Sequence, residues 1–208
     1  MKNINIINNT GKNFDVVLNE NNNGMEIIIN LANDEFKLSK NLKSGDTFKD
    51  VDGDEYILLF YLPNGDAAIL SKDSVTKMEF GSNNNYNGSN IDKYLCDTYL
   101  LELERKFGKE NIVEHEVDLL SLDGEDDYGK IKRKVSLLTL DEYRANKKAI
   151  KKYINEWFWL ATPNSTPNGC SSGFVHCVGS VGNVGYGWYD GSKAVRPFWY
   201  LKASVFEK

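Results

Sequence analysis

The last fifty residues constrain this chain most. Between Trp157 and Phe206, short bulky runs alternate with stretches of glycine, asparagine and serine. The runs are Trp157-Phe158-Trp159-Leu160, Phe174–Val178 and Tyr200–Phe206. The long Ser/Asn/Gly/Pro stretch Asn164–Gly173 separates the first two, and Gly179, Gly182, Gly185 and Gly187 punctuate the segment after Val178. Runs of four to seven residues rich in aromatic and β-branched side chains, bounded by turn formers, are too short for helices and predict strands. A compact β segment rich in Trp, Gly and Asn is expected here.

Upstream, Ile4–Ile7, Phe14–Leu18 and Met25–Leu31 are β-branched runs separated by the turn clusters Asn8–Lys12 and Glu20–Gly24. They predict a small antiparallel meander over residues 1–42. Tyr56–Leu62 is a candidate buried strand, and Asn64-Gly65 between it and Ala67–Leu70 predicts a hairpin with positive φ at both central positions. The period then changes. Ile91, Leu95, Tyr99, Leu103 and Phe107 recur every four residues, with Tyr94 alongside, as on a helix with one buried stripe. Ser89 with Asp92 predicts its N-cap, and Gly108 its C-terminal stop. Ser121–Lys134 is charged and contains glycine, so an exposed loop is expected. Val135–Leu140 predicts a strand. Thr139 and Glu142 predict the start of a second helix over Tyr143–Ile154, with Tyr143, Ile150 and Ile154 inward. Lys147, Lys148, Lys151 and Lys152 form its solvated face.

Charge and composition exclude several classes. With 25 basic and 30 acidic residues the net charge is −5, against a generic nucleic-acid-binding field. The 11 Tyr and 4 Trp argue against a disordered chain. No apolar run reaches membrane-spanning length, and no signal peptide is expected. The three cysteines, Cys96, Cys170 and Cys177, suit a reducing compartment, with a Cys170–Cys177 disulfide on a hairpin as the alternative. A cytoplasmic localisation is therefore expected. The abundance of Asn, Lys and Ile is an AT-rich coding bias, pointing to a low-GC Gram-positive bacterium or its phage.

Catalytic and metal patterns are sparse. The only histidines are His115 and His176. His176 and Cys177 are adjacent, so on a strand they point to opposite faces and do not pair as base and nucleophile. Cys170, His176 and Cys177 lack Cys-x-x-Cys spacing and a fourth zinc ligand. Asp52 and Asp54 lie in a turn without the further ligands of a calcium loop. Glu114 and Glu116 flank His115 on what is expected to be an exposed edge. No metal, no cofactor and no catalytic residue is expected.

The pattern Trp-x-Trp-Leu-x-x-Pro (Trp157–Pro163), a Gly/Asn-rich stretch, then Val-Arg-Pro-x-x-x-Leu (Val195–Leu201) resembles an uncharacterised domain family of Firmicutes and their phages. The upstream layout is similar too: Asp54–Leu59, Ser89–Leu100, and Val135–Tyr143 with its Leu-Leu-x-Leu-Asp-Glu-Tyr. The resemblance spans about residues 44–206. The chain departs from it at Ala161-Thr162, where Arg-Ser is usual, and at Ala194 and Phe198. That family in turn resembles the C-type-lectin-like fold shared with formylglycine-generating enzymes. The resemblance implies an α+β domain with two helices over residues 43–208, following the meander. It also implies a ligand face on the C-terminal strands, holding His176, Asn183, Tyr186, Trp188, Tyr189, Asp190 and Trp199. The mixture of Tyr and Trp with Ser, Gly and Asn in the expected Gly-rich loops of residues 164–192 suits recognition surfaces, because it offers rigid contact area with adaptable hydrogen bonding. Trp157, Trp159, Phe198 and Trp199 are also expected in the core. Arg196 and Pro197 are expected to be structural, with Arg196 pinning loops through carbonyl contacts or a buried ion pair.

The leading expectation is a non-enzymatic protein that binds a protein or a glycan. A second is a phage-encoded inhibitor of a host defence complex, its acidic loop Asp123–Asp127 covering a basic groove; such a protein would act in the host cytoplasm or travel with the virion. A third is a divergent formylglycine-type enzyme, which needs Cys170 or Cys177 accessible and readily ionised.

Overall fold

The computed structural model describes residues 14–21, 24–31, 38–39 and 41–206. The chain divides into two compact units, residues 1–36 and 37–208, against an expected boundary after residue 42. In the first unit β1 (Phe14–Asn21) pairs antiparallel with β2 (Gly24–Leu31), in register from Phe14↔Leu31 to Asn21↔Gly24. The expected strand Ile4–Ile7 lies outside the described residues.

The second unit is α+β, with two helical segments and antiparallel-dominated sheets. The first sheet is built on β3 (Thr47–Lys49), β4 (Glu55–Tyr61) and β5 (Ala67–Ser71). It continues through β15 (Phe198–Leu201), whose outer side pairs with both β10 (Val135–Ser136) and β7 (Ile112–Val113). The second sheet runs β13-β12-β11-β14-β6, comprising Val184–Trp188, Phe174–Val178, Phe158–Pro163, Ser192–Val195 and Thr76–Glu79 in that order. A separate ribbon pairs β8 (His115–Asp118) with β9 (Lys130–Arg133).

The β4–β5 turn differs from expectation. Gly65 alone takes positive φ (+89°), while Asn64 does not. Pro63 occupies the second position of a turn closed by Gly65 N–H on Leu62 O at 2.9 Å. The proline's fixed φ favours an ordinary turn followed by a left-handed glycine over the two-residue hairpin form.

The first helical segment joins α1 (Asn90–Tyr94) and α2 (Leu100–Phe107) through a π-helical turn, Leu95–Tyr99, in which Leu100 N–H donates to Leu95 O. The sequence explains this turn. On an α-helix, four residues advance by about 400°, so a strict four-residue stripe drifts about 40° per step. A wider π turn absorbs part of that drift, and Ile91, Leu95, Tyr99, Leu103 and Phe107 all stay buried. Ser89 caps the segment by accepting from Asp92 N–H, and Gly108 ends it at φ +86°. The second segment, α3 (Leu140–Ile150), starts from the expected capping box of Thr139 and Glu142. It passes into a 3₁₀ turn at Lys151–Tyr153 and so ends earlier than expected.

The main core joins both sheets and α3. Ile57, Leu59, Leu70 and Phe198 of the first sheet meet Phe158, Leu160, Val178 and Ala194 of the second and Leu140, Tyr143 and Ile150 of the helix. Two strand ladders, β5–β15 and β6–β14, cross the corner between the sheets side by side. Arg196 and Pro197 stand at that corner. Both Nε and Nη2 of Arg196 donate to Ser71 O (3.1 and 2.9 Å), and Ser71 N–H donates to Pro197 O (2.9 Å). Burial pulls the Arg196 guanidinium down to about 10, so it remains charged at neutral pH. The expected structural role of Arg196 thus takes the form of carbonyl contacts.

Candidate functional site

The second sheet positions the candidate site at its β13 edge. Along β13, Val184, Tyr186 and Trp188 project to one face and Gly185 and Gly187 to the other. The glycine face is covered closely. A Cβ on Gly185 would lie 3.0 Å from Trp157 Cζ3, and one on Gly187 would run into Lys193, whose ammonium sits 4.1 Å from the Trp159 ring centre. The two glycines thus let bulky side chains of neighbouring segments lie directly on the strand backbone.

The opposite face is open along β13. Tyr186 is 62% exposed and Trp188 57%. Their rings meet Phe174 of β12, with centroids 5.0 Å (Tyr186, edge-on) and 4.3 Å (Trp188, tilted) from it. Cross-strand register produces this cluster, because Phe174 is paired with Trp188 and His176 with Tyr186. At the other end of the same face, Val178 is sealed into the core under α3, where the Tyr143 hydroxyl donates to Gly182 O at 2.8 Å. One sheet face therefore passes from core at one end to exposed aromatics at the other.

The expected site residues separate on this frame. Asn183, Tyr186, Trp188 and Asp190 are exposed. Tyr189 is half-buried, and its carbonyl accepts from the N–H groups of Phe80 and Gly81 at 2.8 and 3.2 Å, so it anchors the strand end. His176 does not belong to the open surface. It is 3% exposed, its Nδ1 donates to Gly185 O at 3.2 Å, and burial lowers its pKa. It lies between Phe174 and Val178 on the face whose far end is covered by α3. Trp199 is fully buried against Tyr56, Tyr99 and Phe107, away from this face, and Trp159 is likewise core. Trp157, expected in the core, is 43% exposed because it lies across Gly185 at the sheet's edge. The Gly-rich stretch 182–188, expected as loop, is largely the strand β13.

Elsewhere, the cysteines are free thiols: Cys170 exposed, Cys177 buried and Cys96 between. Burial pushes the Cys177 thiol up to about 11, opposite in direction to the easily ionised thiol an oxidative enzyme requires. In the acidic loop, Asp123 accepts from the Ser121 hydroxyl, while Asp127 is bound by Thr166 Oγ1 and by Asn168 Nδ2 (2.8 Å for the latter). Asp123 and Asp127 thus have structural partners. The expected exposed loop Ser121–Lys134 also contributes a strand, β9, whose Arg133 grips the buried Asp92 of α1 through two bonds of 2.7 and 2.8 Å.

Two further features go beyond the sequence patterns. Asp50, Asp52 and Asp54 converge on the buried Lys106 ammonium, at 2.7 Å for Asp50 and 3.7 Å for Asp52. Among the described residues no group of His, Cys, Asp or Glu side chains is arranged to hold a metal ion. A cleft of about 340 Å³ opens beside the π turn, lined by Asp54, Glu55, Ser71, Asp73, Tyr94, Tyr99 and Glu102 among others. Its inner hydroxyls already have partners: Tyr99 with Ser71 (3.1 Å), and Tyr56 donating to Asp50 (2.7 Å).

Comparison with family models, with curated proteins and with solved structures finds no match. Among the described residues, no helix is long and apolar enough to cross a membrane.

Proposed function

We propose that residues 37–208 form a non-enzymatic recognition module of C-type-lectin-like type, whose ligand face is the β12–β13 edge of the second sheet. The observation that carries this reading is the Phe174–Tyr186–Trp188 cluster, two of whose rings are more than half exposed on paired strands. Exposed aromatics clustered on a sheet supply large contact area at low entropic cost and are enriched where one protein recognises another molecule. The α+β architecture, with the exposed face on the C-terminal strands, fits the suggested fold class. Cys177 is buried and hard to ionise, which leaves Cys170 as the exposed thiol for the oxidative reading, and Asp123 and Asp127 are already engaged by Ser121 and Thr166.

The test is ligand capture, on peptide and glycan arrays, by the wild type and by a Tyr186→Ala/Trp188→Ala variant. Tyr189 is left intact because it is half-buried and lies outside the exposed ring cluster. The double variant is expected to keep its circular dichroism spectrum and melting profile and to lose its ligands. Ligands retained undiminished by the folded double variant would move the site away from this edge.

A further inference from the structure

Beyond β13 no strand pairs among the described residues. Its register with β12 runs from Phe174↔Trp188 through His176↔Tyr186 to Val178↔Val184 without a shift. Two bonds mark which positions are hydrogen-bonded pairs: Gly179 N–H to Asn183 O (2.8 Å) and Tyr189 N–H to Gly173 O (3.2 Å). Paired and unpaired positions alternate along an antiparallel ladder. Gly185 and Gly187 therefore turn their backbone groups toward β12, and Val184, Tyr186 and Trp188 turn theirs outward. The Trp188 carbonyl is taken by Gly191 N–H at 2.9 Å. The outward N–H and C=O of Val184 and Tyr186, with the Trp188 N–H, remain as a row along the open edge.

Natural sheets blunt such edges with charge, proline, bulges or brevity. The other edge of this sheet, β6, carries Lys77 and Glu79, and the edge strand β3 of the first sheet is three residues long and ends in Lys49. β13 reads Val-Gly-Tyr-Gly-Trp, with no charge, no proline and no register shift. The three residues that turn their backbone to the edge are also the three with exposed side chains. An extended chain matches both rows at once: its backbone bonds add along the strand while its alternate side chains pack against Tyr186 and Trp188. A glycan would use the rings and leave the backbone row to water.

We infer that β13 is a docking edge for an extended polypeptide segment of a partner protein, which joins the sheet as an additional strand. This rests on the recognition reading above and names its ligand class. The test pans a displayed library of random linear twelve-residue peptides on the full chain, with a glycan array in parallel. Enriched peptides are then synthesised with single N-methyl groups at successive positions. Strand addition requires N-methylation to weaken binding at least tenfold at alternate positions and little at those between. It also requires the Val184 and Tyr186 amides to slow in hydrogen exchange on binding, and Val184→Pro to weaken binding at least tenfold while the fold persists. Peptides that bind through Tyr186 and Trp188 with no alternation would overturn strand addition and leave the recognition face standing, as would glycans bound through those rings. Self-association abolished by Val184→Pro would make the occupant a second copy and overturn the separate partner. If nothing binds in a Tyr186- and Trp188-dependent way, both readings fail.

Discussion

The indole of Trp188 lies over the ring of Phe174, centroids 4.3 Å apart and planes tilted by 39°. Gly173 makes this approach possible, because a Cβ there would fall inside the indole. Gly173→Ala is expected to tip Trp188 off Phe174 toward water. The melting point should fall little, by the equivalent of about 1 kcal/mol, because the exposed indole is free to swing away. The check is tryptophan fluorescence, which should shift to the red in Gly173→Ala and not in Gly173→Ala/Trp188→Ala relative to Trp188→Ala.

Among the described residues Lys106 and Asp50 form the most deeply placed ion pair, with side chains 6% and 0% exposed. Burial alone would raise the Asp50 carboxyl, but the Lys106 ammonium and the Tyr56 hydroxyl more than offset it and hold it below the usual carboxylate range. Lys106→Met is expected to leave that carboxylate stranded and to cost about 3–5 kcal/mol in urea unfolding. Lys106→Met/Asp50→Asn, which removes the charge and keeps an oxygen to accept from the Asp52 and Asp54 amides, should recover a large part of the loss. Equal losses in the single and double variants would show that packing, not charge, is what Lys106 supplies.

His115 sits between the Phe198 and Tyr200 rings (5.4 and 5.0 Å), with Nε2 2.9 Å from Ser136 Oγ. Burial pulls its pKa down to about 4 from 6.5. The unfolded chain then binds more protons than the folded one between those two values, so stability falls as pH drops from 6.5 to 4 and is full above 6.5. The span is at most about 3 kcal/mol. His176 is lowered in the same direction, so His115→Phe should flatten the acid limb of a stability–pH profile without abolishing it. An unchanged limb would place the acid sensitivity elsewhere.

At α3 the Thr139 hydroxyl accepts from Glu142 N–H, and the Thr162 hydroxyl accepts from Leu140 N–H at 2.8 Å. Two side chains from distant parts of the chain thus satisfy one helix start. Thr139→Ala is expected to cost about 1–2 kcal/mol, whereas Thr162→Ser, which keeps the hydroxyl, should cost less than Thr162→Val. Chemical denaturation of the three variants decides the order.

Local signals carried most of the element assignment and little of the site. The stripe from Ile91 to Phe107, the Ser89 and Thr139 caps and the Phe174–Val178 run were readable because each depends on neighbours within about one turn or one strand. β9 was hidden because Lys-Ile-Lys-Arg has a single apolar residue and is a strand only by pairing with β8. β13 was hidden because its glycines suggest loop, and their use appears only when Trp157 and Lys193 arrive from elsewhere in the sheet. Tyr186 and Trp188 stand out by residue type and are exposed, whereas His176 is buried on the same face, which no local pattern records. The Lys106 cluster joins positions about fifty residues apart, and no short pattern announces it.

The loop Asp50-x-Asp52-x-Asp54 holds a cation that the chain supplies itself. A lysine tethered at the end of α2 is present at a fixed effective concentration, does not depend on the surrounding medium, and is not removed by chelators. The fold around this loop should therefore be the same in a cell that keeps calcium scarce and in a fluid rich in it, and the β4 end of the first sheet should keep its shape through any passage between the two.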